Sequence, residues 1–189
     1  MPAYFTSRVR VKRLLGIPAG ITRHDTYIDD LLDVVDVEMA GMMGIPDGSI
    51  TQSTYNESFD ITDSTTNKLM LRHWPVASVA AVTNDGSAVA ASDRYLKDRI
   101  GMIGLTDENS FFTRGNQKVS VTYTAGFDPA NVPADLAHAA SVLAAAHFNS
   151  SRHAGLSEER TGGYAYFRRE GLPAEVKRVV GRWSRLFVR

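Results

Sequence analysis

Histidines, a run of aspartates and an arginine-rich end are the side chains of this 189-residue sequence that could do chemistry. The five histidines are His24, His73, His138, His147 and His153. None belongs to the His-x-x-x-His pair that sets two metal ligands on one helical face. His138 and His147 are nine residues apart, so on one helix they point in different directions. Ordinary hydrogen-bonded histidines are the better reading. Asp25, Asp29, Asp30, Asp33 and Asp36 form an acidic run. A calcium loop needs ligands at alternating positions around a turn glycine, whereas this run is helical. No cysteine is present, which removes thiolate nucleophiles, disulfides and cysteine-based zinc sites. Neither a glycine-rich phosphate loop at a strand–helix junction nor a Gly-x-Ser-x-Gly elbow occurs. The residues therefore predict no catalytic, cofactor or metal site.

The basic end is the more suggestive feature. Val176, Val179, Val180, Trp183, Leu186 and Phe187 form one apolar stripe, and Lys177, Arg178, Arg182, Arg185 and Arg189 make the remainder basic. One reading is a solvated amphipathic helix whose last cations suit the negative end of its dipole. The other is a partner surface, since Trp and Arg are enriched at interface hot spots. The same cations could touch DNA, although no base-reading motif accompanies them. Membrane-surface binding fits less well, because a single helix rich in alanine, glycine and valine inserts weakly.

Charge sharpens this. The chain carries 21 Lys+Arg and 21 Asp+Glu, a balance that argues against a general nucleic-acid binder. Residues 1–150 hold 12 Lys+Arg and 17 Asp+Glu (12 − 17 = −5), and residues 151–189 hold 9 and 4 (9 − 4 = +5). An acidic body with a basic tail suggests ends that face different partners, or a tail that meets the body of a neighbouring copy. At 43% hydrophobic and 22% charged the chain reads as globular. It has no apolar run near the ~20 residues of a membrane span and no apolar h-region at its start. The expectation is a soluble protein made inside the cell.

The elements that must position these groups follow from periodicity. A short helix is expected over about Ser7–Leu15, and a longer one over about Asp25–Met43, with Asp25 as N-cap and Gly44-Ile45-Pro46 as its stop. Ile28, Leu31, Leu32, Val35, Met39, Met42 and Met43 give the longer helix its core stripe. Asp29, Asp30, Asp33 and Asp36 are expected on its acidic outer face. Short strands are expected at Leu69–Leu71, Ser78–Val82, Tyr95–Leu96, Met102–Leu105 and Val119–Tyr123, with Asn84-Asp85-Gly86 as a turn. Pro133 opens an alanine-rich helix over Ala134–Asn149. Gly and Ser recur from Ser150, and the segment to Gly171, with Tyr164, Tyr166 and Phe167, reads as a mobile loop ordered by a neighbour. The expected fold is mainly α with a small β subdomain (α+β). In it a helical core of about four helices carries a short-stranded β insertion between the second and third helices. Residues 1–49 would supply the N-terminal helices, 50–127 the β-rich insertion and 128–189 the C-terminal helices. That last part includes loop 150–171 and the basic helix 173–187.

In order, Val11-Lys-Arg-Leu-Leu-Gly-Ile17, the helix from Asp25 through Leu31-Leu32 to Gly44, and Leu69-Met-Leu-Arg-His-Trp-Pro75-Val-Ala-Ser-Val79-Ala-Ala-Val82 then Asp85-Gly86 form a pattern. It continues with Val119-Ser-Val-Thr-Tyr-Thr-Ala-Gly126-Phe, Val132-Pro-Ala-Asp-Leu136, Glu158-Glu-Arg-Thr-Gly-Gly-Tyr164-Ala-Tyr166 and Leu172-Pro173. Across nearly the whole chain this resembles the head–tail connector family of tailed bacteriophages, also called head-completion or adaptor proteins. The resemblance implies a structural virion protein without catalysis or cofactor, made in the host cytoplasm and placed at the capsid–tail junction. Such proteins form a homo-oligomeric ring, commonly of twelve copies, under the portal protein. The ring extends the DNA channel and offers a platform to the head-closure (stopper) or tail protein, and packaged DNA passes without sequence-specific contact. The family's portal-reaching C-terminal segment falls here on Leu172–Arg189, making Lys177, Arg178, Arg182, Trp183, Arg185, Leu186, Phe187 and Arg189 the candidate portal contacts. Asp29, Asp30, Asp33, Asp36, Tyr164, Tyr166 and Phe167 are the candidate inter-subunit residues. The alternative is a DNA-binding accessory protein using the basic C-terminal helix.

Overall fold

A computed structural model describes residues 5–45, 50–152, 158–161, 164–167 and 171–184. The chain divides into two units, one of Met1–Gly44 with Val132–Arg189 and the other of Ile45–Asn131.

The first unit contains α1 (Arg8–Leu14), α2 (Asp25–Met43), α3 (Ala134–Arg152) and α4 (Ala174–Trp183). Helix α2 occupies the span that its apolar spacing predicts, and Gly44 closes it in the left-handed conformation (φ 77°). Its N-cap position belongs to His24, which makes no side-chain cap bond. Asp25, expected there, instead accepts a hydrogen bond from Lys12 Nζ (2.8 Å). That buried ammonium also donates to the carbonyls of Ala19 (3.0 Å) and Ile21 (2.6 Å), which ties the α1–α2 connection down. Helix α3 packs on α1, α2 and α4. Its Leu136, Ala140, Leu143 and Phe148 are buried, as are Leu32, Val35 and Met39 of α2 and Val176, Val179 and Val180 of α4. Backbone pairing joins a two-stranded antiparallel ribbon, Glu158–Thr161 with Tyr164–Phe167.

The second unit is built around one strand. Numbered in chain order, its strands are β1 (Ser53–Ile61), β2 (Lys68–Met70), β3 (Val76–Asn84), β4 (Ser87–Ala88), β5 (Arg94–Lys97), β6 (Met102–Leu105) and β7 (Gly115–Ala125). They form two antiparallel sheets with orders β1-β7-β3-β4 and β2-β6-β5. Strand β7 pairs with β1 along one edge and β3 along the other. Its alternate residues Val119, Val121, Tyr123 and Ala125 are fully buried, the period-2 pattern of a sheet with one face in a core. Leu69, Ile103 and Leu105 of the second sheet join them in one hydrophobic cluster with Leu71, Val82 and Phe112.

The expectation of a mainly helical core carrying a small, short-stranded β insertion is corrected by this architecture. Over the described residues the chain is a mixed α+β protein, and its second unit holds two antiparallel sheets. Strand β1 runs for 9 residues and β7 for 11, and the sheets close over a hydrophobic cluster of their own. Strand β1 was absent from the expected elements because Asn56, Glu57, Ser58 and Asp60 make its composition unlike that of a strand. Tyr55, Phe59 and Ile61 nevertheless alternate toward the core.

Gly126 holds β7 close to the chain entering β1. Its φ is +113°, and a Cβ there would stand 2.4 Å from the Thr51 carbonyl oxygen. Gly126→Ala is therefore expected to lower stability by roughly 1–3 kcal/mol through backbone strain. Gly20→Ala, where a Cβ meets nothing within 4 Å, should stay within about 0.5 kcal/mol of the parent. Urea titrations of the two variants followed by far-ultraviolet circular dichroism make the comparison.

Candidate functional site

Helix α4 carries the basic surface. Val176, Val179 and Val180 turn inward, so at 3.6 residues per turn Lys177, Arg178 and Arg182 must face out, and all three are exposed. Its two ends are fastened to α3. The Trp183 indole N–H donates to Asp135 Oδ2 (3.1 Å), and Arg182 lies 3.7 Å from the same oxygen. His138 approaches Glu175 at 3.3 Å. Trp183 is thus half-buried and tied within its own chain, and the exposed part of the surface is Lys177, Arg178 and Arg182. Arg185, Leu186, Phe187 and Arg189 lie outside the described residues. Tyr164, Tyr166 and Phe167 lie on a described strand, but their side chains are outside the description.

The acids of α2 separate into three environments. Asp30 and Asp33 are exposed. Asp29 is half-buried and accepts from Arg8 Nη1 (3.1 Å), which also reaches Asp25 at 3.4 Å. The Lys12 hydrogen bond, ahead of the Arg8 charge, holds the Asp25 carboxyl below the usual carboxylate range. Asp36 corrects the expected acidic outer face, because it is only 8% exposed. It lies one turn after Leu32 and one turn before Ala40, both buried, so helical geometry carries it inward. Its Oδ1 accepts the backbone N–H of Phe5 (3.0 Å). Burial pushes its carboxyl up to about 7, opposed by the Phe5 hydrogen bond and aided by the Asp33 charge. The spacing of Asp36 within the run Leu32, Asp36, Ala40 was the available signal.

A second buried polar group lies in the sheet unit, and sequence reasoning missed it. Glu57, from β1, accepts hydrogen bonds from the Tyr123 hydroxyl, from the Arg72 backbone N–H (3.1 Å) and, at 3.1 Å, faces His73 Nδ1. The Tyr55 ring stacks on His73 with centroids 3.7 Å apart. Burial, reinforced by the Glu57 hydrogen bond, raises the Tyr123 hydroxyl well above its ordinary value. The Glu57 carboxylate, the Tyr123 hydroxyl and His73 Nδ1 face one another, and the backbone N–H groups of Arg72 and His73 join them. This set holds the Leu71–Trp74 connection against β1 and β7.

Other histidines, and the acids of three turns, are similarly occupied. His147 meets Glu38 at 2.8 Å, and His24 packs edge-on against Phe148. His153 lies outside the described residues. Asp63, Asp107 and Asp128 are each held below the usual carboxylate range by a backbone N–H two residues on, the geometry of a turn. Asp107 lies in a cleft of the sheet unit with Asn84, Asp93, Thr106 and Phe111. There its carboxylate is spent on Asn109 and Ser110. Among the described residues no group of three or more His, Asp or Glu side chains could hold a metal ion, and no helix is long and apolar enough to cross a membrane. Among the described residues, the exposed groups include the cations on α4 and acids and apolar side chains on α2.

No protein-family model and no curated protein matches the chain. Solved structures do. The chain shares its fold with one from the virion of a native gene transfer agent particle (TM-score 0.61, 20% identity), over 96% of this chain and 89% of that one. A chain in the neck of the empty particle, computed with C6 symmetry, is similar with a TM-score of 0.57 at 20% identity, covering 100% of this chain and 95% of that one. A third, in the neck of the native particle computed with C12 symmetry, has a TM-score of 0.55 at 18% identity, over 86% and 84% of the two chains. These likenesses accord with the resemblance to head–tail connectors.

Asp36 makes stability depend on pH. Its carboxyl holds its proton more tightly in the folded chain, where it titrates near 7, than in the unfolded chain near 3.8. The folded state thus binds more protons between these values, and stability falls as pH rises through that window. Asp36→Asn keeps an acceptor for the Phe5 N–H and removes the buried charge. It should leave stability nearly unchanged at pH 3.5 and raise it by roughly 2–3 kcal/mol at pH 8. Thermal unfolding at both pH values reads the difference, and an equal effect at the two would refute the assignment.

Proposed function

We propose that this chain is a non-catalytic structural protein of a phage-like virion: a head–tail adaptor in the neck, assembled as a homo-oligomeric ring beneath the portal. The observation that carries the reading is fold likeness over almost the full length to chains of gene transfer agent virions and necks. The C6 and C12 symmetry of those necks supports a ring. In this role the ring, of twelve copies, extends the DNA channel and presents a platform for the head-closure or tail protein. Balanced net charge suits a channel wall, since a uniformly basic lumen would hold the phosphate backbone too tightly for passage.

The exposed cations Lys177, Arg178 and Arg182 of α4 are the portal-facing candidates within the described residues, and the segment Leu172–Arg189 contains them. Contacts through them would be steered by charge and weakened by salt. Inactive chemistry is part of the reading: the buried Glu57–His73–Tyr123 set and the paired histidines each have a packing role that needs no substrate.

The test is a co-sedimentation of the purified chain with portal rings from the same particle, followed by negative-stain imaging. The expected result is added annular density coaxial with the portal. Lys177→Glu with Arg178→Glu should reduce co-sedimentation at least tenfold while the circular dichroism spectrum is unchanged. Undiminished binding by this variant would remove α4 from the interface. Absence of any portal binding, with a salt-dependent shift of duplex DNA instead, would favour the DNA-binding accessory reading.

A further inference from the structure

Helix α2 carries a second stripe away from the centre of its core face. Tyr27, whose ring also tilts against Phe148 of α3 (5.8 Å between centroids), Asp30, Val34, Val37 and Gly41 follow one another in alternating steps of three and four residues, the spacing that lines side chains along one helical seam. Tyr27, Val34 and Val37 are 39%, 52% and 61% exposed. A Cβ at Gly41 would meet nothing within 4 Å, so another backbone can approach there. A solvated helix keeps such a line polar. Here valines occupy it, and Asp30 with Asp33 supplies exposed charge that makes no ion pair among the described residues.

Helix α1 shows the complement. Its inward cations, Arg8 and Lys12, are neutralised by Asp25 and Asp29. Its outward cations, Arg10 and Arg13, are exposed and make no ion pair among the described residues. Beside them Val9 is 62% exposed and Leu14 47%. The surface thus has the same composition as the α2 seam with the opposite charge. The basic face of α4 matches the charge but includes no exposed large apolar side chain among the described residues.

We propose that the α2 seam of one copy docks on the outer face of α1 of the next copy. Val34 and Val37 pack against Val9 and Leu14, and Asp30 and Asp33 face Arg10 and Arg13. The two patches differ, so the contact is heterologous, and repetition builds a ring when the rotation closes. This rests on the ring reading above and names the surface that would make it. Apolar side chains at the centre supply the association energy, while the two charge pairs set register and discriminate against α2 meeting α2.

The test uses full-length chain. The wild type should sediment as multimers of the 20.7 kDa protomer, whereas R10D/R13D and D30R/D33R should each sediment as monomers with unchanged helical circular dichroism. An equimolar mixture should recover multimers, because the two reversed patches match each other and the two unaltered patches match each other. Native mass spectrometry should then find the two variants in equal numbers, alternating around an even-membered ring. The absence of native cysteine permits a second readout: Leu14→Cys with Val37→Cys should give a disulfide-linked ladder on oxidation. Multimers that persist in either charge variant overturn the proposal while leaving a ring intact. A wild type that stays monomeric, with no ladder, also overturns it, and the portal co-sedimentation then judges the neck reading separately. A dimer that does not grow and ignores R10D/R13D overturns it in favour of α2 packing on α2.

Discussion

Helix α3 touches α1, α2 and α4, and a helix with three neighbours can hold them all only if its side chains are short. Alanine meets that requirement at the lowest cost in side-chain entropy. Ala137, Ala139, Ala140, Ala144 and Ala145 are all buried, and Leu136, Leu143 and Phe148 fill the wider gaps between the helices. Close approach then brings polar groups into range. The Ser141 hydroxyl bonds to the Ala137 carbonyl and to the Thr6 hydroxyl, each at 2.7 Å. One residue earlier, Phe5 donates to Asp36 of α2. The chain leading into α1 is therefore clipped between α2 and α3. The orientation of α1, and with it the outward direction of Arg10 and Arg13, follows from the smallness of α3.

The sheet unit solves a similar problem with a strand. Over Val119–Ala125, strand β7 has ladder partners on both sides, so this stretch exposes no edge of its own. Its inward residues are apolar except for the hydroxyl of Tyr123, which lies under Glu57. A buried carboxylate is costly unless it is fully hydrogen-bonded. Glu57 collects donors from Tyr123, His73 and Arg72, two of them from one short connection. The arrangement fixes that connection in one position, a gain in uniqueness of structure more than in stability.

What was legible from the residues follows the strength of periodicity. Helix α2 shows a clean 3.6-residue repeat ended by Gly44, and its limits match. Helix α3 announces itself through Pro133 and its alanines. Strand β1 was invisible because its alternation is carried by Tyr55, Phe59 and Ile61 across polar intervening residues, with the charged Glu57 at an inward position. A reading that assigns carboxylates outward cannot find such a strand, since the compensating donors come from residues far along the chain. The same habit placed Asp36 on the surface, although its position between Leu32 and Ala40 points inward. The charge pattern of the outward faces was legible only in sum. The split between cations satisfied within α1 and α2 and those left over required knowing which way each helix turns.

The helical unit is assembled from the two ends of the chain, Met1–Gly44 and Val132–Arg189. During synthesis α1 and α2 leave the ribosome long before the alanines that cover them exist. At ordinary translation speeds of roughly 5–20 residues per second, the stretch between Met43 and Ala134 takes about 5–20 s to make. For that interval the inner valines and methionines of α2 face solvent alongside its outer valines. A helix sticky on both sides is then a target for chaperones, or for the same helix on a neighbouring polysome. The sheets can close over their own hydrophobic cluster during the wait, and doing so shortens the span that α3 must cross to reach α2.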